Sequence, residues 1–216
     1  MTKRSTKNPI TIVCAVFALL LATSLSAQEG LYGSGAPDDA AFVRVVNAAD
    51  GQGEISTSIG EAEFGPLSFA EVSAYRPVAT GLFAVRVGDQ EVELVAQNGI
   101  YYTIAVTSSG AMIFEDPEHT DPAESQVFLY NLLADSPARL YAADRGAEVI
   151  GAVEPGSSSQ VSINPVAVEL VVGSSGEDIA NVGDPSLERG QSYSVFVYSN
   201  GSAADALLVQ AQVTTE

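Results

Sequence analysis

From Phe42 onward, short runs of β-branched and aromatic residues alternate with turn signals, and no segment keeps helical spacing for three turns. The clearest strands of the first half are Phe42 to Asn47, Leu82 to Val87, Glu91 to Ala96, Ile100 to Thr107 and Ala111 to Phe114. Gly88-Asp89 and Asn98-Gly99 fall between such runs, where residues that tolerate positive φ close tight hairpins. The pattern predicts an all-β fold.

The second half repeats the order of the first. Val127-Phe128-Leu129-Tyr130-Asn131 echoes Phe42-Val43-Arg44-Val45-Val46-Asn47, and Asn164-Pro165-Val166 before Val168 to Val172 echoes Arg76-Pro77-Val78 before Leu82 to Val87. Arg189-Gly190-Gln191-Ser192-Tyr193 echoes Asn98-Gly99-Ile100-Tyr101-Tyr102. Three echoes in one order predict a duplication: two small antiparallel β-sandwich modules in tandem, each of about seven strands. The expected boundaries are a first module over 28–114, a linker over 115–125 and a second module over 126–216. The linker is acidic and carries Pro117 and Pro122, which keep it out of a sheet and hold it extended. Pro155 to Ser159 reads as a loop inside the second module.

Upstream, Lys3, Arg4 and Lys7 precede an apolar run from Ile10 to Ala22 and small residues around Ser24, Ser26 and Ala27. A membrane span needs about 20 apolar residues, so this shorter run is expected to be a secretory signal peptide over 1–27, cut near Ala27. The lone cysteine, Cys14, would leave with it, and with it any thiol chemistry or disulfide. The expected location is the periplasm, with no membrane span after cleavage.

Charge then narrows the partners. Past residue 27 the chain keeps six arginines and no lysine against 27 acidic residues. A polyanion is held largely by basic residues that displace its counterions, so nucleic acid is excluded as a partner. Without lysine there is no Schiff base and no P-loop. The only histidine, His119, sits in Asp116-Pro117-Glu118-His119, an Asp-x-x-His spacing found in one class of serine esterases and acetyltransferases. That class carries its serine in an earlier Gly-Asp-Ser block, whereas Gly183-Asp184-Pro185-Ser186 comes later and has proline in the serine position. His119 is therefore expected to be a solvated linker residue. The linker acids (Glu115, Asp116, Glu118, Asp121, Glu124) match no calcium loop, and no metal or cofactor is expected. Tyr101, Tyr102, Tyr193 and Tyr198 read as half-buried sheet residues with wet hydroxyls, while Tyr32 and Tyr75 are the better candidates for stacking on a sugar.

Two segments carry a family resemblance. Leu31-Tyr32 followed by Gly35-Ala36-Pro37-Asp38-Asp39-Ala40-Ala41-Phe42-Val43-Arg44-Val45-Val46-Asn47 resembles the opening of AlgF, the periplasmic alginate O-acetylation family, and Val161-Ser162-Ile163-Asn164-Pro165-Val166 is similar to a late segment of it. The resemblance implies a non-catalytic periplasmic adaptor that works beside O-acetyltransferases decorating an exopolysaccharide. The alternatives are a module that binds polysaccharide directly and a general envelope domain with no acetylation role. For partner contacts the candidates are Tyr32, Arg44, Asn47, Ser162 and Asn164. Their structural reading is turn closure by the two asparagines and a solvent-facing strand position for Arg44.

Overall fold

The computed structural model describes residues 39–87, 90–142, 146–174, 177–183 and 185–214. The segment read as a signal peptide, Tyr32 and the Gly88-Asp89 dipeptide lie outside them. Among the described residues there are 17 strands and no helix.

In the first module the spine is β1 (Ala40–Ala48). The hairpin β2 (Ile55–Ile59) and β3 (Ala62–Leu67) and the hairpin β6 (Gly81–Val87) and β7 (Gln90–Ala96) form the outer layer, tied where Thr57 Oγ1 donates to Arg86 O at 2.7 Å. The inner sheet places β4 (Glu71–Val72) and β5 (Arg76–Ala79) antiparallel on one side of β1. On the other side β8 (Tyr101–Thr107) runs parallel to it, followed by β9 (Gly110–Asp116).

The second module follows the same plan. β10 (Ser125–Asn131) is its spine, with β13 (Ser157–Ile163) antiparallel on one side, β16 (Ser192–Asn200) parallel on the other, and β17 (Ala203–Gln210) beyond. Its outer sheet runs β12 (Ala147–Val153), β11 (Ala138–Ala142), β14 (Leu170–Ser174), β15 (Glu177–Gly183). The expected duplication extends to single hydrogen bonds. Gly99 N donates to Ala40 O and Phe42 N to Ile100 O, both at 2.9 Å; Gly190 N donates to Glu124 O at 2.8 Å and Gln126 N to Gln191 O at 2.9 Å. Gly99 and Gly190 hold φ of 73° and 69°, a left-handed turn that a side chain would strain.

Three details differ from the sequence reading. Each module has one parallel pair among its antiparallel ones, because the outer layer intervenes between the two paired strands and supplies the long crossover that parallel pairing requires. Glu115 and Asp116 finish β9 rather than begin a linker, and Ser125 already belongs to β10, so the chain outside strands is 117–124. Ser157 to Ser159 are strand, the start of β13, because pairing with β10 overrides their weak intrinsic preference for extended structure.

Both spine strands are buried at every position. Val43 and Val45 point into the core of their own sandwich with Ile55, Phe64, Leu94 and Ile104, while Val46 and Ala48 pack across the module boundary against Phe128, Tyr130, Phe196 and Tyr198. The two inner sheets thus face each other over a third core, where the fully buried Val46 contributes about 1.5–3 kcal/mol.

Candidate functional site

Alternation along β1 sends Arg44 to the module boundary with Val46, and there it is only 1% exposed. An unpaired guanidinium in such a place would cost several kcal/mol, on the order of the penalty for any buried ion. The surrounding strands meet that cost. Arg44 Nε donates to Thr103 Oγ1 at 2.8 Å, and Nη2 donates to Tyr130 OH at 3.0 Å and Ser194 Oγ at 2.8 Å. The guanidinium carbon also lies 4.5 Å from the ring centre of Tyr75 and 5.2 Å from that of Phe196, close enough for cation–π attraction.

Asp116, at the end of β9, is the counter-charge. Its Oδ1 accepts from Tyr130 OH at 2.7 Å, and its Oδ2 from Tyr75 OH at 2.7 Å and Thr103 Oγ1 at 2.5 Å. Burial opposes the charge on Arg44, but Tyr75, Tyr130 and Asp116 outweigh it and raise the guanidinium pKa above its ordinary value. Burial also raises Tyr75 and Tyr130, so both phenols keep their protons at any physiological pH. The cluster can hold charge and fix geometry; at neutral pH its arginine and phenols have no proton to pass.

The tail closes over this cluster. Tyr75 N donates to Gln212 O at 2.8 Å and Thr214 N to Tyr75 O at 2.9 Å, so the segment after β17 is hydrogen-bonded to the first module. Between this tail and the β4–β5 connection a cavity of about 280 Å³ opens beside Arg44, with Ser73, Ala74, Gln210 and Gln212 in its lining.

The sequence candidates separate accordingly. Arg44 is buried rather than solvent-facing: both faces of its strand are covered, so its polar position points inward. Asn47 is also buried, and its role is the turn closure its type suggests. Its Nδ2 donates to Gly53 O and Leu67 O, both at 2.9 Å, and its Oδ1 accepts from Ala49 N at 3.1 Å. Asn131 repeats this with Ser136 O, Val153 O and Leu133 N. Ser162 and Asn164 are exposed, at and just beyond the end of β13, and share no hydrogen bond with Arg44 or Asn47.

Tyr75, expected at the surface, is buried, because the tail and the Asp116 carboxylate take its backbone and its hydroxyl. The hydroxyls of Tyr102 and Tyr193 are not wet: each is held by backbone groups, Val95 O and Gln97 N for the first, Ser186 O and Glu188 N for the second. Asp116, one of the acids assigned by sequence to the linker, is buried.

His119 lies between β9 and β10. Its Nε2 is 3.0 Å from Glu124 O, and its Nδ1 is buried without a partner among the described residues. That ring is half-buried rather than freely solvated. Among the described residues no group of three or more His, Cys, Asp or Glu is placed to hold a metal. No helix there is long and apolar enough to cross a membrane.

The fold and cluster define an all-β, doubly sandwiched protein whose two halves are joined by a buried cation–hydroxyl–carboxylate network. By sequence the chain belongs to the AlgF family: the family model described as alginate O-acetyl transferase AlgF matches residues 15–194. An alginate biosynthesis protein AlgF from Pseudomonas syringae pv. tomato is 30% identical over 216 residues, covering 98% of this chain and 96% of that one. The protein of that name from Azotobacter vinelandii is 29% identical over 188 residues, covering 86% and 85%, and that from Pseudomonas aeruginosa 27% over 218 residues, covering 100% and 99%. A solved structure of the C-terminal domain of AlgF from P. aeruginosa is 26% identical and covers 41% of this chain and 98% of that one, with a TM-score of 0.38.

Proposed function

We propose that this chain is a periplasmic accessory of exopolysaccharide O-acetylation, on alginate or an alginate-like polymer, that acts by contacting acetyltransferases and performs no transfer itself. The family model and the relatives' names supply the pathway. The observation that favours an accessory over a transferase is the state of His119. A serine-type transfer needs an imidazole nitrogen on the nucleophile and the other nitrogen on an orienting group. Here one nitrogen meets a backbone carbonyl and the other meets nothing among the described residues.

The reading is tested by deleting the gene in its producer, measuring acetyl groups per sugar residue of the polymer, and restoring either the wild type or His119→Ala. Deletion lowers acetylation and both proteins restore it, and an O-acetyltransferase co-purifies with the tagged chain. Unchanged acetylation after deletion refutes the pathway. Failure of His119→Ala to restore it, at wild-type protein level, refutes the non-catalytic part.

A further inference from the structure

β13 is the end strand of its sheet, and five of its seven residues are exposed. Alternate amides and carbonyls of an end strand point away from the sheet, so the edge is a template for another strand. Proteins usually blunt such an edge with charge, proline or a bulge. β13 has none of these. Its sequence, Ser-Ser-Ser-Gln-Val-Ser-Ile, is uncharged and without proline, and its pairing with β10 keeps one unbroken register. The ends of the outer sheet in the same module differ. β12 and β15 pair across register shifts, and Glu148 stands on the first, Glu177 and Asp178 on the second.

The first module shows what such an edge takes. β4 and β5 flank β1 as β13 flanks β10: Asn47 faces Glu71 and Val43 faces Arg76, where Asn131 faces Ser157 and Val127 faces Val161. A segment of chain closes that edge. Tyr75, between β4 and β5, pairs in parallel with Val213 and exchanges backbone bonds with Gln212 and Thr214. The closing segment, Ala211 to Thr214, is uncharged. The duplication therefore sets an edge covered by strand addition beside an equivalent edge that is exposed.

Charge indicates the occupant. A second copy brings the same surplus, 27 acidic residues against six arginines past residue 27, and is repelled. Glu154 is exposed in the turn that leads into β13, so a basic segment gains where an acidic one loses. Beyond the other end of the strand, Val166 is 46% exposed although its carbonyl is fixed by Leu187 N at 3.2 Å, and it offers an apolar contact. Ser162 and Asn164, which the Arg44 network leaves aside, lie on this strand and just past it.

We propose that β13 is a docking strand: an extended segment of a partner protein, uncharged where it pairs and basic at its flanks, adds to this edge by backbone hydrogen bonds. The proposal rests on the accessory role for the existence of a partner; the strand and the chemistry it takes follow from the edge itself.

Isotope-labelled protein is titrated with a synthetic peptide of alternating threonine and valine carrying two lysines at each end, and followed by NMR. The same peptide with glutamates for the lysines, and one with prolines for the valines, are controls. The lysine peptide shifts the amides of Ser157 to Ile163 and slows their hydrogen exchange. The glutamate peptide binds at least about tenfold more weakly, and the proline peptide does not bind. Ser158→Lys combined with Ser162→Lys, both at exposed positions, weakens the lysine peptide at least about tenfold with circular dichroism unchanged. Concentrating the free chain leaves the β13 amides where they were. Silence of the lysine peptide, equal affinity for the glutamate peptide, or affinity unchanged in the double variant overturns the assignment. Shifts of the β13 amides on concentration overturn it too, in favour of a second copy. A silent peptide leaves the acetylation experiment untouched, and unchanged acetylation after deletion leaves the peptide result standing.

Discussion

Arg44 and Asp116 are bridged twice by hydroxyls, once from each module. Thr103 Oγ1 accepts from Arg44 Nε and donates to Asp116 Oδ2, and Tyr130 OH accepts from Arg44 Nη2 and donates to Asp116 Oδ1. Cation and anion therefore share a closed circuit across the module boundary, and each leaves the other stranded if removed.

Arg44→Met is expected to destabilise the chain by about 3–5 kcal/mol, because the Asp116 charge stays buried with only neutral partners. Asp116→Leu should cost a similar amount. The double variant, with no buried charge left, should lose clearly less than the sum. Urea denaturation of the four proteins measures this, and additive losses would show that the two residues are not coupled.

Alkaline pH should weaken the same boundary. Tyr75 and Tyr130 bind their protons more tightly folded than unfolded, so their contribution is complete below about pH 10, the ordinary phenol value. It is lost as pH rises from there toward the raised folded values. The denaturation midpoint should fall above about pH 10, and the fall should be shallower in Tyr130→Phe. Identical slopes in the two proteins would remove Tyr130 from this account.

Asn47→Ala and Asn131→Ala each strip a donor from one buried carbonyl, Leu67 O or Val153 O, and from one partly exposed one, Gly53 O or Ser136 O, at about 1–3 kcal/mol for the buried group left unsatisfied. Thermal denaturation should show nearly equal losses of about 2 kcal/mol or more, reflecting the duplicated turn. The two losses should add within about 0.5 kcal/mol because the sites share no partner.

Gly65 holds φ at 109°, and a Cβ there would lie 2.5 Å from Ile55 O and 2.9 Å from Ser56 Cα. Both neighbours are backbone of the paired strand β2 and have little room to yield. Gly65→Ala should cost about 2 kcal/mol or more, visible as a lowered melting temperature; an unchanged melting temperature would mean that the β2–β3 hairpin relaxes freely.

The duplicated plan was legible because its marks are local. Gly99 and Gly190 before a Tyr-containing run, and Asn47 and Asn131 ending a β-branched one, act within a few residues of where they stand in the chain. The cluster was not legible because its partners are remote: Arg44 meets residues 59, 86 and 150 positions away. In a strand, one polar residue between Val43 and Val45 is what a solvent-facing position looks like, and only the docking of a second sheet reverses the reading. Asp116 was obscured the same way, by standing directly after Glu115 in an otherwise largely exposed acidic run. The weak strands β4 and β13 lacked the β-branched density that revealed the others.

A strand that answers to two cores has little freedom to drift. In β2 burial alternates, so Ser56 and Ser58 face outward and should accept most residues. In β1 every position is enclosed, apolar on one side by its own sandwich and on the other by the second. A saturation library selected for folded protein should thus show every second site of β2 permissive and nearly the whole of β1 closed to change.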